Sequence, residues 1–278
     1  MSSEKIALIT GGTDGIGKAT AKKLLLEGWH VVIVGRNAAR CEATVSGLKE
    51  STQNNKISAI TSNLSLLSET EKASDAFLKT HERLDFLFLN ANAIVQKRTL
   101  TTEGFESNFA LGHLSRALMA KKCENILKAT DGSQILSVVG RNISKLNYDD
   151  LSMEKKFSAM KALGKWQWAQ QLFAKEFSSR SSVPMNIYMP GIVKTKILKN
   201  EPQPMRLFIG LAYLLFAVPV QKSAENVFGI ITDVAQNNRK GVHYSKNKLK
   251  DSPVADTEPD ESRKLWDVTG ELISFDLK

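Results

Sequence analysis

The sequence predicts a single α/β domain: a doubly wound parallel sheet of about seven strands with helices on both faces. Three observations predict it. Short apolar, β-branched runs alternate with longer amphipathic stretches along the 278 residues. The stretches between runs are long enough for the crossovers that parallel strands need. A glycine-rich turn follows the first run directly.

The elements follow in order. KIALIT (5–10) reads as the first strand and leads through the glycine turn into a helix over 16–28. HVVIVG (30–35) and KISAIT (56–61) are the next strands, and a helix over 68–81 leads to LDFLFLN (84–90). A long helix is expected over 105–129, then the strand QILSVV (134–139), a helix over 162–178 and a strand over 185–189. A last short strand falls near 242–244 and a terminal helix near 262–269. Apolar runs of this kind fit strands buried on both faces. No repeat or long linker divides the chain, so residues 1–278 are read as one domain. Two regions interrupt the alternation: residues 194–220, and the polar residues 246–261, which read as a surface loop.

Composition narrows the class. Hydrophobic residues make up 42% and charged residues 24%, as in ordinary globular proteins. Cys41 and Cys123 lack metal or redox spacing, which predicts no metal site and a reducing compartment. MSSEKIALIT enters a strand at once and has no secretory pattern, so a cytoplasmic location is expected. The net charge of +9 is spread along the chain without a basic helix or an aromatic-interleaved patch, which argues against nucleic acid. An anionic cofactor or a membrane surface accounts for it equally well.

TGGTDGIG (10–17) carries the first chemistry. Gly11, Gly15 and Gly17 let the backbone turn sharply, approach a pyrophosphate and open a helix whose amino terminus favours negative charge. Nineteen residues past Gly17, the second strand ends at Arg36. An acidic residue there would favour NAD; a guanidinium grips the 2′-phosphate of NADP, so NADP(H) is the expected cofactor.

These motifs together resemble the short-chain dehydrogenase/reductase family, in particular its retinol-dehydrogenase-like branch. TGGTDGIG is similar to the family's glycine fingerprint, LNANA (89–93) to its segment after the fourth strand, and MPGIVKT (189–195) to its segment after the sixth. LWDVTGEL (265–272) resembles the branch's terminal helix. The resemblance implies a Rossmann fold. It implies cofactor contacts from Gly11, Thr13, Asp14, Gly15, Ile16, Gly17 and Arg36, and from Asn63 and Leu64 at the adenine end. Asn90, Ala91, Asn92, Pro190, Gly191, Val193 and Thr195 would lie towards the nicotinamide. Asn92 replaces a glycine and is the commonest substitute if that position needs positive φ.

The same resemblance implies a departure. The family's mechanism uses a tyrosine, a lysine, a serine and an asparagine. GFESNFALGHLSRAL places the asparagine position at Gly112 and leaves His113 as a structural helix residue. The serine is Ser137 in one alignment, while another falls near Val139. The tyrosine–lysine pair falls on Phe157 and Lys161 in one register and on Leu163 and Gln167 in the other, which WAQQLFAKEF favours. Neither register has a tyrosine. Tyr148 is the replacement phenol to consider, beside Ser137, Lys161 and Lys165; the two lysines read as solvated helix residues when not catalytic. Tyr244 and Lys248 share the family spacing but follow the last strand. Trp166 and Trp168, two apart, cannot share one helix face.

Leu207 to Val220 is a 14-residue apolar run, short of the about 20 needed to span a bilayer. In the resembling branch residues 194–220 form a lid over the substrate. The run therefore implies a small apolar substrate; a peripheral membrane contact, a dimer contact and plain core are the other readings of it. A homodimer through the helices flanking the active site is the family-based expectation. The reading is an NADP(H)-dependent oxidoreductase with a non-standard active site. A non-redox cyclase or isomerase and an inactive binding or scaffold protein are the alternatives.

Overall fold

The computed structural model describes residues 4–140, 143–191, 218–254, 257 and 259–274. Seven parallel strands form the sheet: β1 (Ile6–Thr10), β2 (His30–Gly35), β3 (Ile57–Thr61), β4 (Phe86–Leu89), β5 (Gln134–Val138), β6 (Met185–Met189) and β7 (His243–Ser245). An eighth, β8 (Lys248–Lys250), pairs antiparallel with β7. The spatial order is β3-β2-β1-β4-β5-β6-β7-β8. The chain winds outward from β1 to β3, then returns to β4 on the other side of β1. Strand order therefore reverses between β1 and β4, and a crevice opens beyond their carboxyl ends.

Alternate residues of each strand feed opposite faces. On one face Leu8, Val32, Leu87 and Leu89 join Phe109, Trp166 and Phe173. On the other Ala7, Ile9, Val31, Ile33 and Phe88 join Leu24 of α1 (Gly15–Leu26) and Val227 and Ile230 of α8 (Val220–Asn237). The structure adds α2 (Ala38–Thr52) and α8 to the helices expected from the sequence. α3 (Leu67–Thr80) and α7 (Ala159–Arg180) fall where the periodicity places them.

The long helix expected over 105–129 is broken. It comprises α4 (Ser107–Phe109), a π turn (Ala110–Leu114), α5 (Ser115–Lys122) and α6 (Glu124–Lys128). The π turn lies where α7 presses hardest: a Cβ on Gly112 would sit 2.3 Å from Cδ2 of Trp166. One widened turn and one missing side chain make room for the indole.

Residues 246–261 are not simply a loop. Ser245 pairs with Lys248 across a two-residue connection, with Lys246 at φ +60°, the sense that tight hairpins require. β8 is exposed throughout, so its residues carry no apolar signal. The terminal helix α9 starts earlier than expected and spans Pro259–Leu272. It covers α7: Trp266, 2% exposed, stacks on Phe173 at 5.0 Å, and Trp168 Nε1 donates to Glu261 Oε1 at 2.8 Å. The expected lid lies outside the described residues apart from Val218–Val220, and Val193 and Thr195 lie outside them too.

Candidate functional site

The crevice floor at β1 is built by close backbone approach. Gly11 has φ +66° and Gly15 φ +54°, conformations in which a Cβ is strained. A Cβ on Gly17 would lie 2.3 Å from the Gly11 carbonyl oxygen and 2.6 Å from Asn90 Nδ2. Asn90 braces this loop from β4: its Nδ2 donates to the carbonyls of Thr10 at 3.1 Å and Gly11 at 3.3 Å. Thr10 Oγ1 accepts from the amides of Asn90 at 2.9 Å and Ala91 at 3.0 Å. Ile16 is buried beneath the loop and Thr13 packs over Gly35. The result is a rigid turn that opens α1 onto the crevice.

Asp14 is the N-cap of α1 and accepts the Gly15 amide at 2.8 Å. Its charge is paired: Arg40 Nη2 lies 3.1 Å from Asp14 Oδ2. Arg40, which the sequence reading did not single out, is brought there by the cap of α2, where Asn37 Oδ1 accepts the Arg40 amide. Arg36 is exposed and makes no ion pair among the described residues. Two guanidinium groups thus rim the crevice at the end of β2. Beyond β3, Asn63 is exposed and its Oδ1 accepts from Ser65 Oγ at 2.8 Å, while the Leu64 side chain is in the core, leaving only its backbone for a ligand. Asn92 is exposed and does not have positive φ, so the glycine it replaces is not needed for a left-handed turn. Pro190 is buried and Gly191 has φ +79° at the end of β6.

The three candidate reacting groups do not meet: no hydrogen bond joins any two of Ser137, Tyr148 and Lys161 among the described residues. Ser137 is fully buried and its Oγ accepts from Arg116 Nη1 at 3.0 Å. The Tyr148 hydroxyl donates to the Glu261 carbonyl at 3.3 Å, and burial pushes its pKa up to about 12. That phenol is a poor proton donor, held by α9. Lys161 is exposed near the start of α7. Lys165 corrects the expectation of a solvated lysine: it is buried, donates to the carbonyls of Asp150 at 3.1 Å and of Leu151, and burial lowers its pKa to about 8. It ties the 148–153 segment to α7. Tyr244 donates to Asp233 at 2.6 Å and Lys248 lies across the hairpin, so that spacing is incidental.

The two registers lead to different surroundings. Phe157 is half-buried, ahead of α7. Leu163 packs against the core, and Gln167, 3% exposed, lies over Gly140, where a Cβ would come within 2.8 Å of its Oε1. Gln167 Oε1 has no hydrogen-bond partner. His113 is structural as expected: buried, with Nε2 2.9 Å from Thr269 Oγ1 and Nδ1 3.4 Å from Gln170 Oε1.

The residue that sequence reading missed is Arg116. It is 2% exposed, its Nη1 donates to the Val138 carbonyl at 2.6 Å and its Nη2 to the Ala91 carbonyl at 2.8 Å. Trp166 covers its face at 4.8 Å. One signal was available: an arginine one helical turn past Gly112, directly ahead of the apolar run ALMA (117–120).

A strand-order reversal, a glycine turn at positive φ and an open helix terminus at that reversal define a dinucleotide-binding α/β protein of the Rossmann type. The short chain dehydrogenase family profile matches residues 5–206, and the chain belongs to that family. It is 27% identical over 282 residues to human (Homo sapiens) polyprenol dehydrogenase, covering 97% of this chain and 85% of that protein. It is 26% identical over 282 residues to retinol dehydrogenase 13 of Mus musculus, covering 98% and 84%. Among solved structures, an alcohol dehydrogenase of Thermococcus sibiricus complexed with 5-hydroxy-NADP aligns with a TM-score of 0.69 at 19% identity, over 92% of this chain and all of that one (100%). Levodione reductase aligns with a TM-score of 0.71 at 17% identity, over 87% and 95%.

Proposed function

We propose that the protein is an NADP(H)-dependent oxidoreductase that acts on a hydrophobic small molecule without a phenolic acid. The observation that carries the reading is the phosphate loop: glycines at positive φ, braced by Asn90, present the first turn of α1 to the crevice. The amides of Ile16 and Gly17 are donors that the first helical turn leaves free for phosphate. Arg36 binds the 2′-phosphate, and Arg40 neutralises Asp14, whose carboxylate would otherwise repel it.

A bound nicotinamide would give or accept the hydride. The chain's own residues would bind and orient it. Neither Leu163 nor Gln167 can ionise, Phe157 cannot, and Tyr148 is engaged with α9. Any proton that the reaction needs would therefore come from solvent; Lys161 is exposed near the start of α7. Reactions that demand little from a side-chain acid, such as reduction of an activated alkene or an iminium, suit this site.

The substrate class rests on the rim. Met160 is 59% and Ile143 45% exposed, and the main chain of Ile143 lies on Gly164 of α7. These apolar groups lie on the segment that follows β5 and in the first turn of α7. The relatives named for polyprenol and retinol agree with an apolar substrate. No helix among the described residues is long and apolar enough to cross a membrane. Contact with a membrane surface, aided by the charge of +9, fits delivery of such a substrate.

The test is direct titration with NADPH and NADH, followed by fluorescence and thermal shift. NADPH is expected to bind more tightly than NADH, and apolar enones or imines to oxidise it. Failure of both nucleotides to bind refutes the reading. Loss of turnover in Tyr148→Phe refutes the solvent route.

A further inference from the structure

Arg116 is a buried cation with no carboxylate partner among the described residues. Among the described residues it takes part in no ion pair, and its Nε has no partner. Its other nitrogens bond the Ala91 carbonyl just past β4, the Val138 carbonyl at the end of β5, and Ser137 Oγ. Taking an unpaired charge out of water is costly, and three neutral acceptors only partly offset it. Burial lowers its pKa to about 9, which still leaves it protonated at neutral pH.

Its position gives that charge a use. A dinucleotide spans the crevice with one mononucleotide half on each side of the strand-order reversal. Arg36 and the Arg40–Asp14 pair rim the β2 side, where a phosphorylated ribose belongs. The nicotinamide half then falls over the ends of β4 and β5, the two strand ends that Arg116 ties together. Trp166, seated in the space Gly112 leaves, covers a face of the guanidinium at 4.8 Å.

We infer that Arg116 sets the redox preference of the cofactor site: its fixed charge repels the cationic oxidised nicotinamide, leaves the neutral reduced ring unopposed, and so makes the crevice favour NADPH over NADP+. This rests on the NADP(H) reading above. Two like charges within about 10 Å, at an effective dielectric near 20, shift an equilibrium by roughly ten-fold. Arg116 is in this sense a positioning and selecting residue; no bond to it forms or breaks.

The experiment measures dissociation constants for NADPH, NADP+ and 2′,5′-ADP, which lacks the nicotinamide. Wild-type protein, Arg116→Gln and Arg116→Lys are compared. Wild type is expected to prefer NADPH by about ten-fold or more. Arg116→Gln should lose about that factor through tighter NADP+ binding, while Arg116→Lys keeps it. Binding of 2′,5′-ADP should be the same in all three. A further arm needs no variant: tetrahydro-NADP, whose ring is uncharged, should bind wild type as NADPH does. If it binds like NADP+, or if Arg116→Gln binds 2′,5′-ADP normally and keeps the full preference, the inference is overturned. If even 2′,5′-ADP fails to bind wild type, the NADP(H) reading itself is lost.

Discussion

Gly112 is the position where one added methyl group should report most on the site. In Gly112→Ala the new Cβ would lie 2.3 Å from Cδ2 and 2.4 Å from Cγ of Trp166. Carbon atoms pack at about 3.5–4.0 Å, so the overlap exceeds about 1 Å. Trp166 cannot retreat easily: it is 1% exposed and lies on the Arg116 guanidinium. Overpacking of this kind costs about 1–3 kcal/mol, and the depth of the overlap puts it near 3. Replacing glycine by alanine within a helix returns about 1 kcal/mol. The expected net loss is ~2 kcal/mol, a fall in Tm of about 4–8 °C. Urea denaturation of Gly112→Ala, Trp166→Ala and the double variant measures it. With the indole gone the alanine should instead stabilise by about 1 kcal/mol, giving a coupling of about 3 kcal/mol. An equal cost for Gly112→Ala in both backgrounds would refute the argument.

Other consequences follow from the same geometry. Gly17→Ala should abolish nucleotide binding, because its Cβ would meet the Gly11 carbonyl at 2.3 Å; calorimetry with NADPH checks this. Arg36→Ala should weaken NADPH by roughly ten-fold or more and leave NADH nearly unchanged, since a charge-assisted bond contributes about 1.5–3 kcal/mol. Trp266→Ala removes a buried ring stacked on Phe173 and should cost about 3–5 kcal/mol, with α9 becoming protease-sensitive. Burial holds His113 and His243 neutral, with pKa values pushed down to about 3 and about 4. The unfolded chain takes up a proton at each below about pH 6.5 that the native state refuses, so stability falls as pH drops towards 4. The slope is roughly 1.4 kcal/mol per pH unit for each histidine, and His113→Gln should flatten it in urea titrations between pH 7 and 5.

Much of this fold is legible because parallel strands buried on both faces leave a local signature. HVVIVG and the strand at Met185–Met189 have the bounds the sequence predicts. The glycine turn is legible for a similar reason: backbone that must adopt positive φ, or approach other backbone within a methyl's width, admits one residue type. β8 is not legible, because a strand exposed on both sides has no apolar period to read. The broken helix at Ala110–Leu114 is not legible either, since its cause is an indole 54 residues away in sequence.

The sequence by itself determined the strand–helix alternation, the phosphate loop, the cation at the end of β2 and the lack of a tyrosine in either register of α7. Each depends on residue type at a position or on short-range spacing. Only the tertiary structure decided that Asp14 is neutralised by Arg40, that Tyr148 is held by α9, and that Lys165 is buried rather than solvated. It also decided that Arg116 lies beneath the ends of β4 and β5 under the cover of Trp166. These are contacts between distant segments, and a side chain's charge, reach and proton affinity are set by what packs against it, which no local pattern encodes.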